Sequence, residues 1–150
     1  MALPTHIDLQ IVTPDRAIVK EQVDEVEIPG ADGYFGVLPG HTPMLAALSV
    51  GELWYRKGQE KTYLAIAEGF AEVLPERVTI LAQLAEKAEE IDPERAEAAR
   101  ARAAELLAGP AIDIDYELAR IALTKSLSRL QVSSRISISQ RTGALKQVRT

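Results

Sequence analysis

Few side chains in this chain are suited to covalent or metal chemistry. His6 and His41 are the only imidazoles, and cysteine is absent. Disulfides, thiol nucleophiles and thiolate-bound metals are therefore excluded, and a zinc site would have to gather carboxylates around two scattered histidines. Neither His-Glu-x-x-His nor Gly-x-Ser-x-Gly occurs, so no metalloprotease or serine-hydrolase signature is present. No catalytic residue and no metal ligand is expected. The most unusual stretch runs from Pro29 to Pro43, with four glycines and three prolines in fifteen residues. A phosphate cradle there would need a lysine after the last glycine and a helix beyond it, but Gly40 is followed by His41, Thr42 and Pro43. Gly33 and Gly36 supply only half of a dinucleotide fingerprint. The stretch reads instead as a shaped surface loop around a short strand at Tyr34–Leu38, with His41 hydrogen-bonded to its own turn.

Two charged features remain. Asp92 followed by Pro93 has the form of a helix N-cap with proline in the first turn, and Arg95 lies three residues on. The second feature is an uneven distribution of charge. Through Glu117 there are 22 acids and ten bases, a balance of −12; beyond it there are seven bases and no acid, a balance of +7. A basic segment on an acidic body suits an acidic partner, an anionic ligand or an internal docking surface. Nucleic acid is disfavoured, because Tyr116 is the only aromatic residue after Phe70 and single strands are bound on aromatic platforms. Asp24, Glu25 and Glu27 read as a solvated face.

The elements that must position these residues follow from periodicity. From His6 to Leu84 apolar residues recur every second position: Ile7, Leu9, Ile11; Val26, Ile28; Leu53, Tyr55; Val78, Ile80, Ala82, Leu84. Short alternating runs separated by turn residues predict a β-sandwich of about eight to ten strands in two sheets. At Ala85 the composition changes to alanine, glutamate and arginine, which favour helix. One helix is predicted from Asp92 to Ala108, stopped by Gly109-Pro110. A second starts near Asp113 or Asp115 and carries Tyr116, Ala119, Leu123, Leu127 and Leu130 on one stripe. A short connection makes the two an antiparallel hairpin. The fold class is α+β: a sandwich over residues 1–85, a helical hairpin over 86–132, and a polar, basic, frayed tail over 133–150. No window approaches the ~18 apolar residues of a membrane span, and Met-Ala-Leu-Pro-Thr-His has no signal-peptide character. The absence of cysteine fits a reducing cytoplasm.

Three features together resemble the ε subunit of bacterial F-type ATP synthases: Gly33-x-x-Gly36-x-x-Pro39-Gly40-His41-x-Pro43, the sandwich-then-hairpin order, and Ile91-Asp92-Pro93-Glu94-Arg95-Ala96. The resemblance extends from about His6 to Val132. It implies a non-catalytic rotor subunit of the central stalk that couples the catalytic head to the c-ring and restrains ATP hydrolysis through its C-terminal helices. The implied partners are the γ subunit, the c-ring and the α and β subunits of the head, with no nucleic acid and with membrane contact only through the complex, on the cytoplasmic face of the inner membrane. No cofactor is required. A regulatory ATP is implied by the family's Ile/Leu-Asp-x-x-Arg-Ala motif, and its candidate ligands here are Glu86, Asp92, Arg95, Arg102, Lys125 and Arg129. Lys125 stands where ATP-binding members carry arginine, and so lacks the planar fork. Arg100 is expected in solvent. Asp32, Gly33, Tyr34 and His41 are the implied rotor interface, with Tyr34 near a position where the family often carries a carboxylate. Arg120, Lys125 and Arg129 are the implied inhibitory contacts. The alternative is a stand-alone sandwich that binds a polymer or protein and dimerises through its hairpin.

Overall fold

The structure, a computed structural model, describes residues 3–109 and 115–148, with 137–148 described by their backbone alone. Two compact units divide at Lys87/Ala88. The first contains eight strands: β1 (Ile7–Val12), β2 (Ala17–Val23), β3 (Glu25–Gly30), β4 (Gly33–Val37), β5 (Met44–Leu48), β6 (Gly51–Lys57), β7 (Glu60–Val73) and β8 (Arg77–Lys87). Alternation decides which face each presents inward. Ile7, Leu9, Ile11, Val26, Ile28, Leu53, Tyr55, Val78, Ile80 and Ala82 are all buried, as the period of two requires. Leu84 is only half-buried and Ala85 is buried instead, so the inward parity slips at the end of β8.

The strands form a sandwich whose layers share strands. One hydrogen-bonded path runs β2-β1-β8-β7-β5-β3-β4, with β6 bonded to β3 and β7. This is possible because β7 has 14 residues. Its first part pairs with β6 (Gly51↔Ile66 to Lys57↔Glu60), and its last part pairs with β5 (Leu48↔Gly69 to Met44↔Val73). At the changeover, Glu68 and Gly69 take positive φ (56° and 142°). Gly69 has no substitute there: a Cβ would lie 1.9 Å from the Leu81 carbonyl oxygen.

The second unit holds a 3-10 turn (Ala88–Glu90) and two helices packed together, α1 (Pro93–Ala108) and α2 (Tyr116–Val148). The α1 N-terminus is as the sequence predicts, with Pro93 in the first turn and Asp92 as cap. The side chain of Asp115 performs the same task for α2, accepting from the Leu118 amide at 3.2 Å. Two expectations need correction. The α2 backbone stays helical through Val148, where fraying was expected from Ser133; proline is absent from the segment, and the Ser133 and Ser134 hydroxyls bond back to the carbonyls of Leu130 and Gln131 within the turn. The expected leucine stripe is also displaced. Ala119 is buried, but Leu123 and Leu130 are half-buried, Tyr116 and Leu127 are 54% and 50% exposed, and Ser126, Ser128 and Val132 are buried instead. The buried positions of α1 are both alanines, Ala96 and Ala103. Small side chains let helix backbones approach closely, and bulky leucines fit such a seam poorly. The Ser126 hydroxyl meets its burial by donating to the Ala122 carbonyl at 2.8 Å.

Candidate functional site

Asp92 sits with extended φ/ψ (−85°, 108°), and one carboxylate oxygen accepts from the Glu94 amide at 3.0 Å and the Arg95 amide at 3.3 Å. Such a cap is worth roughly 0.5–2 kcal/mol. Arg95 and Arg102 are exposed on α1, about 10 Å apart along its axis at 1.5 Å per residue. Arg102 lines a shallow hollow with Glu105, Leu106 and Gly109. Lys125 and Arg129 lie half-buried one turn apart on α2, and each already has a polar partner. Five of the six candidate ATP ligands thus belong to the helical unit. Glu86 belongs to the sandwich unit, on β8 opposite Ala65 of β7.

The neighbouring charges are locally paired. Arg100, expected in solvent, is held by Glu97, whose carboxylate receives the Arg100 Nε at 2.9 Å; the pairing lowers the Glu97 pKa and raises that of Arg100. Arg120, one of the implied inhibitory cations, pairs in the same way with Glu117 one turn back, with the same two directions of shift.

The loop residues divide between two places. The β3–β4 hairpin closes at the Gly30↔Gly33 pair, with Ala31 and Asp32 at its tip and Gly33 at φ 129°. The tip is fixed to the Leu48 end of β5, because the Ala31 amide donates to the Ala47 carbonyl at 2.8 Å. Tyr34 is 57% exposed, yet its hydroxyl accepts from the Glu52 amide at 3.1 Å. The ring reaches that amide by crossing Gly51, where a Cβ would lie 2.5 Å from the hydroxyl oxygen. His41 lies at the other end of β5, before Met44. Its Nδ1 is 2.7 Å from the Thr42 carbonyl oxygen, and the neighbouring Gly40 amide donates to the Pro75 carbonyl. With five residues in β5, the tip and His41 are separated by at least about 13 Å of strand.

Two groupings escaped the sequence reading. The first is an apolar outer face. Ala47 of β5 pairs with Phe70 of β7, Phe70 with Leu81 of β8, and Leu81 with Val12 of β1, so the four side chains cross the sheet in one row. Phe70 and Leu81 are each 55% exposed, and Leu45, two residues from Ala47 on the same face, is 72% exposed. Contiguous apolar surface of this kind marks a docking site more often than a solvated face. Its signal in the sequence was parity: Phe70 and Leu81 stand out of phase with the buried Ala71, Val73, Ile80 and Ala82. The second grouping corrects the solvated reading of Asp24 and Glu25. Asp24 accepts from the Gly58 amide at 2.7 Å and lies 3.3 Å from His6 Nδ1 and 3.7 Å from Arg56, whose Nε donates to Glu25 at 3.1 Å. The Gly58 hydrogen bond is the main cause that holds the Asp24 pKa below its ordinary value; burial opposes it, and His6 and Arg56 add smaller lowering contributions. Among the described residues, no helix is long and apolar enough to cross a membrane, and no cluster of three potential metal ligands occurs.

Residues 6–88 match the family model of the ATP synthase delta/epsilon chain, beta-sandwich domain, and residues 89–134 match that of its long alpha-helix domain. The ATP synthase epsilon chain of Syntrophobacter fumaroxidans is 50% identical over 129 residues, covering 86% of this chain and 96% of that one. The ATP synthase epsilon chain of Solibacter usitatus is 42% identical over 133 residues, covering 89% and 99%. Among solved structures, a chain of the Euglena gracilis mitochondrial ATP synthase (OSCP/F1/c-ring) is similar with a TM-score of 0.77 at 29% identity, covering 87% of this chain and 82% of that one. A chain of the Tetrahymena thermophila central stalk and c-ring shares the fold, with a TM-score of 0.54 at 13% identity, covering 90% and 98%.

Proposed function

From its membership of the ATP synthase delta/epsilon-chain family, on the epsilon side, we propose that this chain is a non-catalytic central-stalk subunit that joins the γ subunit to the c-ring and restrains ATP hydrolysis through its helices. The observation that carries the docking half is the row Ala47–Phe70–Leu81–Val12 with Leu45 beside it. Apolar side chains on a rigid sheet give γ a flat surface that needs no rearrangement to bind. The β3–β4 tip, Asp32-Gly33-Tyr34, meets the polar loops of the ring, and His41 at the far end of β5 contacts γ. One surface therefore holds both partners without competition. The complex places the chain on the cytoplasmic face of the bacterial inner membrane, with α and β reached by the helices.

The regulatory half rests on the helical unit. Among its described residues the buried side chains are mostly small, Ala88, Ala96, Ala103, Ala119, Ser126 and Ser128, with only Ile91 and Val132 larger, and at about 25 cal/mol per Å² they contribute little apolar burial. Such a pair opens at low cost, and a nucleotide between Asp92, Arg95 and Arg102 on α1 and Lys125 and Arg129 on α2 favours the closed form by binding it alone.

The experiment is gel filtration of a fragment ending at Lys87 with purified γ. Co-elution is expected, and Phe70→Ser with Leu81→Ser should abolish it while the fragment stays folded. Co-elution that survives both substitutions removes this face from the reading.

A further inference from the structure

Among the described residues, the aliphatic hydroxyls of α2 bond back to their own helix, with one exception. Thr124 and Ser126 donate to the carbonyls four residues back, Arg120 at 2.9 Å and Ala122 at 2.8 Å, and Ser133 and Ser134 donate to those of Leu130 and Gln131. Ser128 is 9% exposed, and among the described residues its Oγ is the one buried side-chain polar atom without a hydrogen-bond partner. Buried polar atoms are paired in the great majority of cases, and an exception needs a reason. The reason lies in what surrounds Ser128 on the helix. Two successive-but-one positions of an α-helix are about 160° apart, so Ser128 does not share the face of Ala119 and Ser126. It shares a face with Lys125, three residues back, and Val132, four residues on, with Arg129 adjoining. Val132 is buried, and Lys125 and Arg129 are half-buried, each with a polar partner of its own. Within the helical unit α2 packs against the 3-10 turn Ala88–Glu90 as well as against α1, and that turn leads directly toward Asp92.

We infer that Ser128 is a further ligand of the regulatory nucleotide, its hydroxyl donating to a phosphate oxygen beside the Lys125 ammonium and the Arg129 guanidinium. The inference rests on the nucleotide reading above and adds a residue to it. The chemistry of the face selects the ligand. Cations on either side of a buried hydroxyl repel another cation, whereas an anion accepts from Ser128 and is attracted by both neighbours. Lys125 and Arg129 can keep their present partners, since an ammonium has three donors and a guanidinium five. A carboxylate offers two oxygens to this face. A phosphoryl group offers three strong acceptors, one for each of the donors at i, i+3 and i+4. The hydroxyl also couples binding to closure. In the nucleotide-free chain, burying it unsatisfied weakens the closed helical unit; a phosphate oxygen that accepts from it removes that penalty, so the nucleotide favours the closed form by a larger margin.

The test combines calorimetric titration of the full chain with ATP, phosphorus NMR of the bound nucleotide, and amide hydrogen exchange in α2 without nucleotide. Ser128→Ala should weaken ATP binding about tenfold, the loss expected for a hydrogen bond to a charged group, and should shift the phosphorus resonances of bound ATP. In the nucleotide-free chain the same substitution should slow exchange in α2, because it removes a buried unsatisfied hydroxyl. A serine with a structural role gives the opposite sign, since its loss speeds exchange. Ser126→Ala is the control for the higher helix propensity of alanine; its hydroxyl is already bonded within the helix, so ATP affinity should stay at the wild-type value. Unchanged affinity in Ser128→Ala overturns the assignment while the nucleotide reading stands. Weaker binding with unchanged phosphorus resonances also overturns it, by placing the hydroxyl away from the phosphates. Faster exchange in α2 overturns it by giving Ser128 a structural partner, and equal weakening by Ser126→Ala does so by tracing the loss to helix packing. No binding heat for the wild-type chain at millimolar ATP removes the nucleotide reading itself, and the assignment with it.

Discussion

Asp92 caps a helix, and under the proposed function the same side chain also meets a nucleotide. Its cap to the Glu94 and Arg95 amides is local and does not require nucleotide. Asparagine caps as well as aspartate, so Asp92→Asn should leave thermal stability within a few tenths of a kcal/mol while weakening ATP binding measured by calorimetry. Arg95→Ala should weaken it about tenfold, because a charge-assisted hydrogen bond contributes on the order of 1.5–3 kcal/mol. Absence of binding heat at millimolar ATP in the wild-type chain would leave both residues with structural roles only. Asp24 supports a prediction of a different kind. Its pKa is depressed in the folded state, chiefly by the Gly58 amide, so its contribution is complete above the ordinary aspartate range and is lost as pH falls through the lower folded value. Asp24→Ala should therefore flatten the acid limb of the stability–pH curve while leaving its neutral-to-alkaline shape unchanged. An acid limb identical to wild type would show that the ring of His6, Arg56 and Gly58 around it does not couple to folding.

Among the elements, β7 is the one on which the sandwich depends most. One of its edges passes from β6 to β5 while the other pairs with β8 from Leu64 to Val73, and Gly69 makes the passage possible. Gly69→Ala combines positive φ with a Cβ 1.9 Å from a backbone carbonyl oxygen, and backbone strain alone costs on the order of 1–3 kcal/mol. Urea unfolding of that variant should show a loss of about 2 kcal/mol or more; a midpoint at the wild-type value would mean that the bend relaxes elsewhere. The α2 helix carries the regulatory expectation. Replacing Arg120, Lys125 and Arg129 with alanine should raise ATP hydrolysis by the assembled complex and leave γ binding unchanged, with pairs worth roughly 0.2–1 kcal/mol each and screened by salt. Arg120 already holds Glu117, so transfer to an acidic partner exchanges one carboxylate for another. Lys125 and Arg129 likewise have partners within the folded chain, so each of the three contacts is an exchange and the three contributions should be comparable. Hydrolysis unchanged in the triple variant at low salt and low ATP would separate these cations from any braking role.

For the whole molecule, the division at Lys87/Ala88 separates a strand unit with a dense aliphatic core from a helical unit with an alanine-rich interior. A core drawn from all eight strands resists local opening, whereas a seam of small residues opens readily. The proposed function, attachment by one unit while the other rearranges, needs that difference in stability.

Much of this was legible from residue order, because the determinants are local. Alternation in β1, β3 and β6 and the Asp92-Pro93 cap depend on neighbours within four positions, and the loop and helix-start motifs led to the family for the same reason. Other features depended on contacts between distant segments. Cross-strand register brought Ala47, Phe70, Leu81 and Val12 into one row, and it joined His6, Asp24, Arg56 and Gly58 from three separate stretches of the chain. The fold also placed the β3–β4 tip and His41 at opposite ends of β5, although they are neighbours in sequence. The rotation of α2, which buries Ser126 and leaves Leu127 half in solvent, was likewise set by tertiary packing. A helical pattern shows which residues share a face; the size of the side chains on the partner surface decides which face goes inside.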